Sequence, residues 1–557
     1  MRILPAYQMP YDPGQVRAIV ERLRCGELLA RALIRRGACD PDAAEAYVHP
    51  EACMPFDPEE LPDMAAACGR IRRAIQDRER ICVYGDYDAD GICSTVILVR
   101  TLRRVGADVI WMLPSRHEDG YGLHERAVME MHERGTKLVI TVDNGIAAID
   151  EIELAKSIGM DVIVTDHHTA EDRIPDCCAV VCASRKDASG MHRDLCGAGV
   201  ALQVSRMLLS GTKDWSLYAL AAVATIADVV PLSQENRLIV AKGLPHIPEN
   251  PALKEILLCA GWQGQQLTEQ QVAFLICPRL NAAGRVSDPE IAVELLLSDS
   301  TEEIREIVEE IEKCNTLRKQ LEGEIMNAAV PRIPLNRRSA VLSDPAWNPG
   351  VIGIAAARFS EKMHIPVILF AEKDGILTGS GRSPDGIDLY QCLKSCADLT
   401  ERYGGHTGAA GVTIRRENLE EFSERFEETL NGLDMVNFEP CIRYEEKVRL
   451  DQISLKTAEE YRRLAPFGMN NPEPICLIEG IGVTGTSRIG RDGSHLSFYA
   501  EQNGIRIRTV AFAQGEREEE LRKPGRFDLL ARLSVNSFRG KNSLELICAG
   551  IRESGAE

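Results

Sequence analysis

Two α/β lobes joined by a long helix, followed by a small β domain, is the architecture that this sequence of 557 residues predicts. Three observations predict it. Apolar strands alternate with amphipathic stretches from residue 80 onward and again in the segment 332–435, the pattern of βαβ units over a mostly parallel sheet. Residues 301–330 carry one uninterrupted helical period. From about residue 441 apolar and polar residues alternate and the chain turns at glycine, as in a small closed barrel. The length agrees, because single cores stop growing near ~250–300 residues and roughly three or four domains are expected.

Residues 1–70 read as helical and charged, with no chemistry to assign. The first lobe is set at 71–300. Its strands are ICVYG (81–85), DVIWML (108–113), KLVITV (137–142) and DVIVT (161–165). ICSTVILVRTLRRVG (92–106) and LHERAVMEMHERG (123–135) read as the helices between them. Ligands of such sheets bind beyond the carboxyl ends of the strands.

The connecting helix is set at 301–331. Ser300 and Glu303 fit a capping box. Ile304, Val308, Ile311, Leu317, Leu321 and Ile325 recur at three- and four-residue spacing. At 1.5 Å per residue the helix spans about 45 Å, enough to join two lobes. The second lobe, 332–435, contains AVLSDPAWNPGVIGIAAARF (340–359) and PVILFAEKDGILTGSGRS (366–383). The β domain, 441–557, contains HLSFYAEQNGIRIRTVAF (495–512) and FDLLARLSVNSFRGKNSLELICAGI (527–551).

Composition excludes several classes. MRILPAYQMPYDPG lacks the apolar stretch of a signal peptide. No window reaches the ~18 apolar residues of a membrane span, so a cytoplasmic location is expected. The 18 cysteines are scattered and form no C-x-x-C pair. They read as small buried hydrophobes rather than zinc ligands. A net charge of −19 argues against a nucleic-acid partner when taken alone. A basic cleft can still sit on an acidic body, and bound divalent ions offset carboxylates.

The chemistry lies at the ends of the apolar segments. ICVYG runs into Asp86-Tyr-Asp88-Ala-Asp90-Gly91, KLVITV into Asp143-Asn144-Gly145, and DVIVT into Asp166-His167-His168. The apolar segment YALAAVATIA (218–227) runs into Asp228. In a parallel sheet such ends share one edge, so the acids converge. One acid after a strand is often only a helix N-cap. Four coincident cases, with D-x-D-x-D and D-H-H among them, outweigh that explanation. Clustered carboxylates repel and stay protonated unless a cation neutralises them. This donor set suits Mn²⁺ or Mg²⁺, and its size suits two ions sharing a carboxylate. His49, His124, His132, His192, His246 and His364 stand alone and read as ordinary surface or core residues.

Y-G-D-Y-D-A-D-G (84–91), V-D-N-G (142–145), D-H-H (166–168) and A-D-V-V-P-L (227–232) resemble the DHH phosphoesterase superfamily. P-R-L-N-A-A-G-R (278–285) and G-G-H-T-G-A-A-G (404–411) narrow the resemblance to its bacterial branch of single-stranded-DNA-specific exonucleases. The resemblance covers roughly residues 20–555. It implies a DHH lobe, a DHHA1-type lobe and an oligonucleotide-binding (OB-like) barrel. It implies metal ligands at Asp88, Asp90, Asp143, His167 and Asp228, with Asp143 bridging two ions. Asp86 is a further ligand or a neighbour of one. His168 matches the residue over the scissile phosphate, and Asp166 is expected to orient a ligating histidine. The implied reaction is 5′→3′ hydrolysis of single-stranded DNA in repair and recombination. A RecQ-type helicase and a single-strand-binding protein are the implied partners of a monomer. WNPGVIG (347–353) departs from the pattern at Asn348, as does VVCAS (180–184) at Cys182-Ala183; neither matches a ligand.

Several loops carry groups suited to phosphates. Arg279, Asn281 and Arg285 read as two cations and an amide on a glycine-containing turn. Arg382 and Ser383 in GSGRS read as an anion-binding nest of open backbone amides. His406 in GGHTG and Arg116 in PSRHEDGYG are further phosphate candidates, while Tyr121 and the barrel aromatics Phe498, Tyr499, Phe512 and Phe538 are candidates for base stacking. Two other functions use the same motifs. One is a phosphodiesterase for short oligonucleotides or cyclic dinucleotides, which needs neither the N-terminal region nor the barrel. The other is a non-catalytic DNA-binding replication scaffold, which should have lost ligands; here every ligand position is filled.

Overall fold

Five parallel strands build the sheet on which the acids converge. Their order is Asp108–Met112, Arg80–Tyr84, Thr136–Val142, Asp161–Asp166, Ala179–Cys182. The computed structural model describes residues 2–7, 11–114, 122–169, 173–188, 190–210, 212–333, 336–434, 438–490, 492–538 and 540–555. It falls into two units, Phe56–Val230 with Lys242–Glu439, and Met1–Pro55 with Pro231–Ala241 and Pro440–Glu557.

In the first unit the central strands are buried along their length, as strands covered by helices on both faces must be. The chain starts inside the sheet, adds one strand outward, then returns to the other side. Strand order therefore reverses between Arg80–Tyr84 and Thr136–Val142, and a crevice forms at such a switch point. The edge strand Ala179–Cys182 is too short to stand out in the sequence.

YALAAVATIA is not a strand. It belongs to the helix Trp215–Ala227, whose residues 217–225 are all buried. A helix enclosed on all sides loses its polar face and reads as a strand-like apolar run.

The connecting helix runs Thr301–Ala329, capped by Ser300 Oγ accepting from the Glu303 amide at 3.3 Å. It packs on Cys277–Val286 in the first lobe and on Ile352–Met363 in the second. Leu317 faces solvent, and the buried face carries Asn315, Arg318 and Glu322 instead. The second lobe has a mixed sheet ordered Thr400–Gly405, Ala409–Arg415, Ile376–Arg382, Val367–Lys373, Ala340–Asp344.

In the second unit Cys476–Ile489 pairs with both His495–Gln502 and Phe527–Phe538, which closes a barrel through Ile505–Ala511 and Lys541–Glu553. The N-terminal helices Pro13–Leu23, Glu27–Arg35 and Pro41–Val48 share the barrel's core. Ile19, Leu29 and Leu33 are buried with Ile478, Phe498 and Leu529. Phe498 is thus core, while Phe512 is exposed and Tyr499 lies 3.9 Å beneath the Arg506 guanidinium. The side chain of Phe538 lies outside the described residues.

Candidate metal centre

Three overlapping sets of three donors meet at the switch point, one of them Asp143, His167 and His168. Asp86, Asp88 and Asp143 offer oxygens within 4.8 Å of one another, as do the donors of Asp90, His167 and Asp228. The sets touch where His167 Nε2 stands 3.0 Å from Asp143 Oδ1. His167 Nε2 also lies 3.8 Å from Asp90 Oδ2 and 3.7 Å from Asp228 Oδ2. The five residues that the sequence marks as ligands therefore converge, and Asp86, a ligand or a neighbour of one, lies with them.

Each is placed by local backbone chemistry. Asp88 is the N-cap of Ala89–Arg104, its Oδ1 accepting from the amides of Asp90 and Gly91 at 2.9 and 3.1 Å. Capping occupies one oxygen and leaves the other for the cluster. Asp90 points the opposite way, accepting from the amides of Gly197 and Ala198, both at 2.7 Å, at the start of the helix Gly197–Leu208. Asp143 sits at φ 61 and Gly145 at φ 105, so V-D-N-G turns the chain sharply at the strand end. Asp228 arrives from the C-terminus of Trp215–Ala227 rather than from a strand. An acid there opposes the helix dipole, a cost that a bound cation removes.

Electrostatics fit a cation-filled site. Burial, then the charges of Asp90, Asp88, Asp86 and Asp166, push the Asp143 carboxyl well above its ordinary range. Burial lifts Asp228 to about 8, helped by Asp90 and Asp88. Burial also raises Asp90, with Asp88 adding and His167 opposing. Burial lowers His167, which keeps its nitrogen free to ligate. The neighbouring thiols Cys93 and Cys196 are raised far above the usual thiol value, chiefly by burial, and stay protonated. An oxygen-rich set with one imidazole and no thiolate fits hard divalent ions.

This sets a pH signature. The Asp228 value rises from 3.8 to about 8, so the folded protein holds a proton that the unfolded chain releases between those values. Without ions, stability falls as pH rises through that window. Mn²⁺ should therefore raise Tm more at pH 8 than at pH 5. An equal or smaller shift at pH 8, read by calorimetry, would contradict the assignment.

Asp166 turns both oxygens to backbone and imidazole donors. Its Oδ2 accepts from the Ile146 amide at 2.9 Å, and its Oδ1 takes the His167 amide at 2.7 Å, the His168 amide at 3.1 Å and His168 Nδ1 at 2.8 Å. The ring it orients is thus that of His168, not of His167. Burial opposes the His168 charge, but the bond to Asp166 overrides it and lifts His168 to about 9. Asp166 is lowered: its burial is outweighed by His168, His167 and the Ile146 amide.

The sequence left other supports unmarked. Ser184 Oγ donates to the His168 carbonyl, and Cys182 Sγ approaches the same oxygen at 3.6 Å. C-G-A-G (196–199) supplies the amides that hold Asp90. A Cβ on Gly197 would lie 2.5 Å from the Asp143 Cβ. Small residues opening a helix were the available signal. Gly197→Ala should displace Asp143 and weaken Mn²⁺ binding about 10- to 100-fold, the range for a ligand that loses its support, and titration calorimetry would show it.

The phosphate candidates fare differently. PRLNAAGR is not a turn but part of the helix Cys277–Val286. Arg279 is paired with Glu312 at 2.6 Å, and Arg285 donates to the Gly350 carbonyl at 3.0 Å. Asn281 Oδ1 accepts from the Ala89 amide at 2.7 Å and so braces the D-x-D-x-D loop. GSGR is not a nest, because it lies in the strand Ile376–Arg382 with its backbone in the ladder. The Ser383 amide donates to Gly408 at 3.0 Å, and Arg382 bonds Ser380 Oγ at 2.9 Å. His406 sits at the exposed tip between Thr400–Gly405 and Ala409–Arg415. Arg116 and Tyr121 lie outside the described residues. Asn348 closes its own turn by accepting from the Gly350 amide at 2.8 Å.

Comparison with known proteins agrees with this geometry. The DHH family N-terminal domain matches residues 80–227, the DHHA1 domain 336–432 and the RecJ OB domain 444–549. The single-stranded-DNA-specific exonuclease RecJ of Bacillus subtilis is 34% identical over 544 residues, 96% of this chain and 69% of that protein. The chain belongs to the RecJ family. RecJ from Thermus thermophilus in complex with Mn²⁺ matches with a TM-score of 0.86 and 32% identity, over 100% of this chain and 80% of that one. The Mg²⁺ complex of the same RecJ matches with a TM-score of 0.81 and 30% identity, over 100% and 79%. The family model for the DHH domain ends one residue before Asp228, which the end of a helix supplies here.

Proposed function

We propose that this chain is a single-stranded-DNA-specific 5′→3′ exonuclease with a centre for two Mn²⁺ or Mg²⁺ ions, acting in DNA repair and recombination. The observation that carries the reading is the pair of donor triads meeting at Asp143 and His167. Asp86, Asp88 and Asp143 hold one ion, Asp90, His167 and Asp228 the other, and Asp143 serves both. Bound there, the ions acidify an attacking water and offset the charge on the scissile phosphodiester. Asp166 accepts from His168 Nδ1 at 2.8 Å and raises its proton affinity, and His168 donates to the charge that develops on the phosphate.

The working segments are 71–300 for catalysis, 301–331 as connector, 332–435 for substrate and 441–557 for the strand beyond, with 1–70 ahead of them. Arg285, Arg382, Ser383 and His406 are assigned to DNA, with Arg116, Tyr121 and a support role for Arg279 and Asn281. Cβ positions on Gly404, Gly408 and Gly411 would meet no atom within 4 Å, so a sugar–phosphate backbone can approach that hairpin closely. Partnership with a RecQ-type helicase and a single-strand-binding protein, a monomeric state and a cytoplasmic location extend the same reading. No helix among the described residues is long and apolar enough to cross a membrane.

Digestion of long single strands labelled at either end tests it. The 5′ label should be released first, and only with Mn²⁺ or Mg²⁺ present. Earlier loss of the 3′ label, equal attack on blunt duplex, or a preference for dinucleotides would each refute it.

A further inference from the structure

In the D-x-D-x-D loop, Tyr87 and Ala89 alternate with the acids Asp86, Asp88 and Asp90, and both rest on the helix Cys277–Val286. Asn281 Oδ1 accepts from the Ala89 amide at 2.7 Å. One turn further on, a Cβ at Gly284 would lie 2.5 Å from the Tyr87 carbonyl oxygen. Glycine weakens a helix interior, and here it lets two backbones touch. Asp90 has a separate support in the amides of Gly197 and Ala198. Asp86 and Asp88 flank the contact at Tyr87 directly.

The second lobe meets the same helical turn. A Cβ at Gly350 would lie 2.4 Å from the Arg285 carbonyl oxygen, and Arg285 Nη1 donates to the Gly350 carbonyl at 3.0 Å. Val286 then packs against the core that holds Trp347, Val351 and Ile352. Gly350 lies in WNPGVIG, which Asn348 shapes. Asn348 Oδ1 accepts from the Gly350 amide at 2.8 Å, and its carbonyl accepts from the amides of Val351 and Ile352 at 3.0 and 3.2 Å. Such side-chain-to-backbone bonds fix a turn. All these residues lie in one compact unit. Gly284 and Arg285 are adjacent, so the metal loop and the second-lobe turn press one turn of helix, backbone on backbone. A close-packed contact with no side chain to yield passes a displacement on one side to the other.

We propose that Gly350, acting through the helix Cys277–Val286, is a positioning residue for the ion of Asp86, Asp88 and Asp143. With the second-lobe turn in place, the helix holds Tyr87 and Ala89, and with them the flanking carboxylates, at the spacing that this ion needs. The triad of Asp90, His167 and Asp228 has other supports. Asp90 is held by Gly197 and Ala198, His167 follows the strand Asp161–Asp166, and Asp228 ends the helix Trp215–Ala227. The second lobe thus serves one half of the metal centre as well as the substrate. The inference rests on the two-ion reading.

The test counts Mn²⁺ on the full-length protein by equilibrium dialysis and by the signal of free Mn²⁺ in paramagnetic resonance. Wild type should bind two ions. Gly350→Ala should bind one at wild-type strength and the other about tenfold or more weakly, the usual cost of losing a ligand's support. In an Asp228→Asn background, which retains the ion of Asp86, Asp88 and Asp143, adding Gly350→Ala should weaken that ion by the same factor. Phe422→Ala, a cavity in the core on the opposite face of the second lobe's sheet, is the control for general destabilisation and should bind both ions normally while folded. Two normal sites in folded Gly350→Ala overturn the inference, and so does equal weakening of both ions. Matching weakening in Phe422→Ala at an equal loss of Tm overturns it too. Should Gly350→Ala fail to fold, Asn348→Ala and Asn348→Asp decide by the same count. One weakened ion in the first, restored by the acceptor kept in the second, supports the inference; two normal sites in the first overturn it. No Mn²⁺ on wild type would instead refute the two-ion reading.

Discussion

Asp143→Asn should abolish nuclease activity, by about 10³-fold or more, and yet stabilise the metal-free protein. A bound ion contributes several kcal/mol to the transition state, and each 1.36 kcal/mol is tenfold in rate. Asp143 belongs to one triad and lies 3.0 Å from the histidine of the other, so both ions lose a ligand together. Asparagine is the informative replacement, because it tolerates the left-handed backbone at φ 61 better than alanine does. The stability change follows from the repulsion. A carboxyl pushed well above its ordinary range by burial and four neighbouring acids costs the fold its ionised form. Its removal should raise the metal-free Tm by a few degrees at pH 8, as replacements of strained functional residues can do. Full activity in Asp143→Asn at saturating Mn²⁺ would end the two-ion reading. A lowered metal-free Tm would end the electrostatic account while leaving the ligand assignment standing.

The parts of the site legible in the sequence are those fixed by chain-local chemistry. D-x-D-x-D, V-D-N-G and D-H-H each follow an apolar strand, and the parallel sheet brings strand ends together whatever the rest of the chain does. The acid of Asp228 is legible in the sequence but its helical setting is not, since a helix buried on all sides hides its period. The local conformation of the DNA loops was hidden for a different reason. Arginines and glycines in PRLNAAGR and GSGRS suit phosphates by composition, but partners distant in sequence decide what they touch. Glu312 pairs with Arg279 across 33 residues, and Asn281 reaches Ala89 across 192. The same limit hid the shared core of residues 1–55 and the barrel, where Glu445 meets Arg36 from the far end of the chain.

The two adjacent histidines should separate cleanly. His167 has its Nε2 among three carboxylates and a lowered proton affinity, the state of a ligand. His168 has the same neighbours but turns its Nδ1 to Asp166 and is lifted to about 9, the state of a donor. His167→Ala should lose the ion of its triad and with it nearly all activity, with partial rescue at high Mn²⁺. His168→Ala should bind both ions at wild-type strength and lose about 10²- to 10³-fold in kcat, the range for removing one preorganised donor. Asp166→Asn should follow His168→Ala in rate, because an amide cannot hold the imidazolium. Metal titration beside single-turnover kinetics distinguishes the variants. Weakened metal binding in His168→Ala comparable to that in His167→Ala would make both residues ligands, and the donor role would then have no residue left to carry it.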